Sequence, residues 1–371
     1  MIQAASATQQ LNSVQYLRAL AAILVTIAHA SEEAKYFYNF RPVFETEALG
    51  KGVDIFFVIS GFIIYYASDK FYDQPDAAKN FIINRFTRVI PLYYTFTTLM
   101  IFTIIAVPGG VKEAIFDPWQ FITSYLFIPY ERYDGRIAPI LSLGWTLNYE
   151  MFFYLIFAVC LFLPKRFVAI AVIAILLTLS LIGTILPHDS PAFLSFWTNN
   201  IIIEFAFGIV VAVLYRRHGK ALANWGIAVT LLLTGLILLY ILNTPPRPLD
   251  LPRFILAGVP AVMMVTGATL FLPLSAEGRL PKSGIALGDS SYSLYLTHRF
   301  VQRPVQMIYT HLLPISAREF PSIYVAAAVI ASILVGHLIF LMIESPLLTW
   351  CRVRLRSHKD RLRAAARSPG T

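Results

Sequence analysis

An arginine and a histidine share one apolar stretch near the start of this chain, residues 15–30, Gln-Tyr-Leu-Arg-Ala-Leu-Ala-Ala-Ile-Leu-Val-Thr-Ile-Ala-His-Ala. Eleven helical steps of about 100° leave Arg18 and His29 about 20° apart around the axis and roughly 16 Å apart along it. They lie on one face at two depths. Two carboxylates occur in similarly apolar surroundings: Asp54 in Gly-Val-Asp-Ile-Phe-Phe-Val-Ile-Ser-Gly-Phe (52–62, with Ser60), and Glu150 in Trp-Thr-Leu-Asn-Tyr-Glu-Met-Phe-Phe-Tyr (145–154). A histidine oriented by a carboxylate is the usual arrangement of a general base. A second kind of chemistry is suggested by Arg85 and Arg88 in Asn-Arg-Phe-Thr-Arg-Val-Ile-Pro. Three residues apart, they share a helix face and could hold an anion.

The elements that must position these groups are membrane helices. The 371 residues are 57% hydrophobic and 14% charged, with a mean hydropathy of +0.65. A soluble domain would carry about 25% charged residues. The apolar runs approach the length of about 20 that crosses a bilayer core. The expected fold is an all-α, polytopic membrane helix bundle of about ten transmembrane helices. The spans are expected at 13–31, 51–68, 89–107, 145–163, 167–186, 196–215, 223–242, 253–273, 287–309 and 322–343. The polar N-terminus leads directly into the first span and is read as uncleaved. Residues 1–350 are expected to form one membrane domain and 351–371 a basic tail. With both termini cytoplasmic, 19 of the 30 Lys and Arg lie inside and nine outside, in agreement with the positive-inside rule. The net charge of +9 is concentrated in that tail, a topology signal meeting anionic lipid rather than nucleic acid. Cys160 and Cys351 make no disulfide framework or metal spacing.

This topology gives each polar residue a depth. His29, Asp54 and Glu150 arrive from three helices in the outer half, where they are expected to converge. Arg18, Arg85 and Arg88 gather on the cytoplasmic side. The latter two are expected at a helix N-terminus, where the helix dipole adds to their attraction for anions. The ninth span begins Leu-Gly-Asp-Ser-Ser-Tyr-Ser-Leu-Tyr-Leu-Thr-His-Arg-Phe (287–300), which adds His298 and Arg299 to the inner group. Blander readings stand beside these: arginines at span ends commonly set orientation, and Asp54 could simply pair with Lys51. A phosphate-binding mouth inside and a His-carboxylate cluster outside suit a donor reaching up from the cytosol. They equally suit a proton-coupled exporter of a glycan or glycolipid. The external connection 108–144 is rich in aromatic residues. It is expected to be folded, either as a platform for a sugar or packed on the membrane surface or its neighbouring helices.

Together these motifs resemble those of the acyltransferase-3 family of membrane acyltransferases. The resemblance rests on Arg18 and His29 with ten residues between them, on Gly52 to Phe62, on Arg85 to Pro91, and on Trp145 to Tyr154. Ser-Tyr-Ser-Leu-Tyr-Leu-Thr-His ending at His298, and Glu344-Ser345-Pro346, add to it. Within the family the chain is most similar to the succinoglycan-type exopolysaccharide O-acetyltransferases. Some members append a periplasmic hydrolase-like domain; here a short tail follows the tenth span, so the membrane domain is expected to handle the acceptor.

The resemblance implies transfer of an acyl group, expected to be acetyl, from cytosolic acetyl-CoA to a hydroxyl of a cell-surface polysaccharide or its lipid-linked sugar precursor. It implies a multi-pass protein of the bacterial inner membrane, with no metal and no nucleic-acid partner. Carried over by residue, His29 would be the catalytic base and Glu150 would support it. Arg18, Arg85 and Arg88, with Tyr292, His298 and Arg299, would hold the CoA donor. Asp54, Ser60 and Trp145 would line the pocket or pack against it.

Overall fold

Fifteen α-helices follow one another in the computed structural model, which describes residues 11–72, 74, 76–106, 117–187, 189–247, 249–272, 281–312 and 320–365. They are α1 (Asn12–Tyr38), α2 (Thr46–Gly50), α3 (Gly52–Tyr66), α4 (Ala77–Ala106), α5 (Pro118–Leu126), α6 (Trp145–Cys160), α7 (Lys165–Ile185) and α8 (Ala192–Trp197). Next come α9 (Ile203–His218), α10 (Trp225–Asn243), α11 (Val259–Thr266), α12 (Lys282–Asp289), α13 (Ser291–Leu312), α14 (Pro321–Ile339) and α15 (Ser345–Ala365). Among the described residues there is no strand, only an isolated bridge between Glu131 and Ile137. Helices satisfy their own backbone donors and acceptors, which hydrocarbon cannot do for them.

Nine helical stretches among the described residues are long and apolar enough to cross a membrane. They correspond to nine of the ten expected spans. The other, expected at 287–309, is α13, a helix of 22 residues. It carries His298, Arg299, Gln302, Arg303 and Gln306 along its length and packs closely on α14 and α1, where those polar groups find partners.

The helices sort into a core and a rim. α1, α3, α6 and α9 bury most of their surface and share one continuous apolar core. α7, α10 and α14 present apolar side chains outward, among them Ile170, Leu233 and Leu334, as a lipid-facing surface would. The closest core contact is between α3 and α9, and two glycines make it possible. A Cβ added to Gly61 would stand 2.1 Å from the Phe205 carbonyl oxygen, and one added to Gly208 would stand 2.1 Å from that of Val58. Small residues let membrane helices approach until their backbones touch.

Several helix boundaries differ from the expected spans, among them that of the tenth, whose helix runs on past 343 into α15. α1 continues to Tyr38 rather than stopping near 31, α13 continues to Leu312, and α4 begins at Ala77 rather than near 89. Hydropathy detects the apolar part of a helix, whereas its hydrogen-bonded ladder runs on into polar sequence. Of the external connection, 107–116 lies outside the described residues. The rest is folded: Asp117 caps α5 through the Trp119 and Gln120 amides, with Pro118 in the first turn. α5 then docks on α4, where Tyr93 donates to the Ser124 carbonyl (3.1 Å) and Tyr94 to the Tyr125 carbonyl (2.7 Å). Packing on a neighbouring helix therefore accounts for much of its aromatic content, although Trp119 and Tyr133 remain exposed.

Candidate active site

A cavity of about 810 Å³, mouth included, opens between α1, α3, α4, α6 and α13. Its lining is of two kinds. One part carries the guanidinium groups of Arg18, Arg85 and Arg88, while another is aromatic and aliphatic, with Val53, Phe56 and Tyr295. Such a cavity suits a ligand that is anionic in one part and apolar in another.

Each arginine is held by its surroundings. Arg18 is 8% exposed, donates to the Gln15 side chain (3.0 Å), and has Arg88, Glu344, Asp289 and Glu150 as charged neighbours. The Arg85 guanidinium lies 5.5 Å from the Phe81 ring centroid and 5.8 Å from that of Tyr154, within cation–π range. Arg85 and Arg88 sit inside α4, more than two turns from its start at Ala77. Their attraction for an anion therefore comes from their own charge and not from a helix N-terminus, which corrects the expectation.

Glu150 belongs to this cavity and not to His29. Its carboxylate accepts hydrogen bonds from Ser60 Oγ (3.2 Å) and from Tyr154 Oη. Tyr292 also lines the cavity, with its hydroxyl donated to the Val89 carbonyl (2.8 Å). Glu344, in the widened helical turn Phe340–Glu344, is buried and accepts from Ser293 Oγ (2.5 Å). Asp54 is not brought to His29 either. Arg253 takes its two oxygens in a bidentate pair, both at 2.8 Å, the fork geometry in which arginine excels. The same guanidinium lies 5.5 Å from the Trp145 ring. Asp54 and Trp145 thus form an interhelical clamp beside the cavity. Lys51, the partner considered from the sequence, pairs with Glu47 instead (3.8 Å).

His29 has a different set of neighbours, and they form a second cluster. Its Nδ1 lies 3.0 Å from Glu32 Oε2 and 3.2 Å from an Arg299 guanidinium nitrogen. Nδ1 can serve only one of these contacts at a time: unprotonated, it accepts from Arg299, a group that can only donate; protonated, it donates to the Glu32 carboxylate and leaves Nε2 with a free lone pair. Arg299 then balances the carboxylate charge. It was expected with the inner arginines, but α13 places it beside His29. His298 was also expected there; it is fully buried and stacks on His29 with ring centroids 5.2 Å apart. Its Nδ1 can only donate to the Leu294 carbonyl (3.2 Å), and its Nε2 has no hydrogen-bond partner among the described residues.

The two clusters meet at Tyr295. Its ring lines the cavity and lies 6.2 Å from that of His298. Its hydroxyl bonds with Thr146 Oγ1 and the Leu143 carbonyl, each at 3.0 Å. From the arginines to His29 the order is therefore cavity, Tyr295, His298, His29. Sequence reasoning missed Glu32, although its i,i+3 spacing from His29 on one helix was visible; ending the span at 31 hid it. Arg253 had no local signal, since it lies 199 residues from Asp54.

A helical membrane bundle with a cationic cavity linked by ring contacts to an oriented histidine is a form suited to group transfer across a bilayer. The comparisons agree: residues 11–341 match the model of the acyltransferase-3 family, described as an acyltransferase domain, and the chain belongs to that family. Among its relatives is the exopolysaccharide production protein ExoZ of Rhizobium meliloti (strain 1021), 32% identical over 308 residues, covering 82% of this chain and 90% of ExoZ. Nodulation protein 10 of Rhizobium leguminosarum bv. viciae is 26% identical over 323 residues, 78% of this chain and 82% of its own. The peptidoglycan O-acetyltransferase OatA of Listeria monocytogenes serovar 1/2a is 27% identical over 327 residues, 80% of this chain and 51% of OatA. No solved structure matches the chain.

Proposed function

We propose that this membrane acyltransferase moves an acetyl group from cytosolic acetyl-CoA to a hydroxyl of a cell-surface polysaccharide or its lipid-linked precursor. The observation that carries the reading is a cavity lined by three arginines whose wall residue Tyr295 is joined by ring contacts, through His298, to the partly exposed His29 and Glu32. The names of ExoZ and OatA support a polysaccharide acceptor and an acetyl donor. Both termini are cytoplasmic in this reading, which puts Arg18, Arg85 and Arg88 on the donor's side of a bacterial inner membrane.

The donor's phosphates lie against the three arginines, and its neutral arm extends along the apolar lining. Glu150, fixed by Ser60 and Tyr154, offsets part of the mutual repulsion of the guanidinium groups. The acceptor arrives from the outside. His29 Nε2 takes the hydroxyl proton, the oxygen bonds to the thioester carbonyl carbon, and the carbon–sulfur bond breaks. The departing thiolate then takes the proton from His29. Glu32 holds the histidine in the tautomer this step needs, a positioning role. General-base assistance of this kind contributes about 10²- to 10⁴-fold.

The test is thiol release from acetyl-CoA by membranes containing the protein, followed with a thiol-reactive dye and, in parallel, by acetyl content of the glycan. His29→Ala is expected to lose transfer by that factor while the level of protein and the binding of acetyl-CoA stay near wild type. Full transfer by the variant would remove His29 from the chemistry. Absence of thiol release by the wild type would remove the acyl-CoA reaction altogether.

A further inference from the structure

Two helices run on together past His29. α1 continues to Tyr38 and α13 from Arg299 to Leu312, and the cluster between their ends has no part in the chemistry above. Its base is rigid. The rings of Tyr38, Tyr309 and Tyr324 lie within 5.4–5.8 Å of one another. Their hydroxyls are engaged: Tyr38 with Thr310 (2.9 Å), Tyr309 with the Phe320 carbonyl (2.9 Å) and Tyr324 with Glu33 (2.8 Å).

Above that base is an open layer. Tyr36 and Phe37 are 62% and 38% exposed, with rings edge to face at 4.8 Å. The Arg303 guanidinium lies 4.6 Å from the Phe37 ring, 3.9 Å from Glu33 and 2.9 Å from the Gln306 side chain. The side chains of Arg303 and Glu32 remain about half exposed. Seven helical steps place Tyr36 within about 20° of His29 around α1 and roughly 10 Å beyond it.

We propose that this layer is the acceptor subsite, where the exposed Tyr36 ring receives the C–H face of a sugar ring and Arg303, seated on Phe37, bonds its hydroxyls together with Glu32 beside His29. The inference rests on the acyl-transfer reading, and it commits to a carbohydrate for physical reasons. An interface anchor sinks an apolar body into the bilayer and keeps a polar tip in water. Phe37 has no polar tip, and its ring is occupied by a guanidinium that Glu33 and Gln306 hold in place. A fixed arginine fork offers paired donors at a set spacing, which vicinal sugar hydroxyls can accept. The half-exposed carboxylate of Glu32 supplies the complementary acceptor. A rigid base lowers the ordering cost of binding.

The experiment uses the full chain in lipid nanodiscs with acetyl-CoA. The acceptor probe is a set of oligosaccharides prepared from the producing cell's own exopolysaccharide and de-O-acetylated with mild alkali. Phe37→Ala and Arg303→Gln are each expected to raise the oligosaccharide KM about tenfold, the worth of one cation–π or charge-assisted contact. The effect should fall on KM rather than kcat, and acetyl-CoA binding should persist as evidence of folding. Phe162→Ala, at an apolar position 81% exposed elsewhere, is expected to change neither. Saturation-transfer NMR without donor should show the oligosaccharide on the wild type and lose it on both variants. Unchanged KM and unchanged saturation transfer in the variants would overturn the subsite and leave an interface anchor. Oligosaccharide bound by the wild type and lost from both variants, with no thiol release, would support the subsite and overturn acyl transfer.

Discussion

His29 shows how little of a residue's chemistry is contained in its type. The same ring without Glu32 would distribute its proton between two nitrogens. In the proposed reaction the contact at 3.0 Å favours the tautomer with Nε2 free, against the one that would accept from Arg299. Glu32→Gln keeps the shape and removes the charge. Transfer is then expected to fall on the order of 10- to 100-fold, the worth of one charge-assisted hydrogen bond, with acetyl-CoA affinity unchanged. Steady-state kinetics alongside calorimetric donor binding would check this, and an undiminished rate would return Glu32 to the helix surface. The arginines give the opposite pattern. Arg85→Ala or Arg88→Ala is expected to weaken acetyl-CoA binding by about tenfold or more and to leave binding of dephospho or pantetheine fragments less affected. Equal affinity for all of these in both variants would make the arginines orientation signals.

At the scale of elements, the packing of α3 on α9 places Ser60 and the aromatic lining of the cavity. Both helices depend on glycines at their crossing, so Gly208→Ala forces a methyl group against the Val58 carbonyl. Overpacking of this kind typically costs about 1–3 kcal/mol. A lower melting temperature in detergent, partly restored by acetyl-CoA, is the expected result; an unchanged melt would mean that the helices separate readily. The helices themselves were legible in the sequence, because a bilayer demands apolar runs of a set length. What was not legible was which helix face meets which. Asp54, Glu150 and His29 were expected at one depth and so to form a cluster, but depth is one coordinate of three. Rotation about each helix axis sent Asp54 to Arg253, Glu150 to Ser60 and Tyr154, and His29 to Glu32. The arginines of α4 fared better, since their i,i+3 spacing fixes a shared face whatever the helix does. Arg299 and His298 stand at the middle of the expected 287–309 span, where depth alone does not decide between the two groups.

For the whole molecule, the proposal requires that the two clusters face different compartments. In intact cells a membrane-impermeant maleimide is expected to label Tyr36→Cys in a background lacking Cys160 and Cys351, and to spare Cys351 in the otherwise native chain. Inside-out vesicles should reverse the pattern. Labelling of both from one side would refute the assigned orientation. The layer between the clusters has a further, electrical consequence. The cavity carries three guanidinium groups, and the surface around Arg303 is open to solvent. What separates them at this point is little more than the ring of Tyr295, pinned by Thr146 and the Leu143 carbonyl, and the ring of His298 behind it. The membrane potential falls largely across so thin and dry a partition, and each elementary charge carried through it exchanges about 2.3 kcal/mol per 100 mV with the field. An uncharged acyl group passes without that exchange and a bare ion does not. In the proposed reading the two rings act as a dielectric, letting the protein open a chemical route through the bilayer without discharging it.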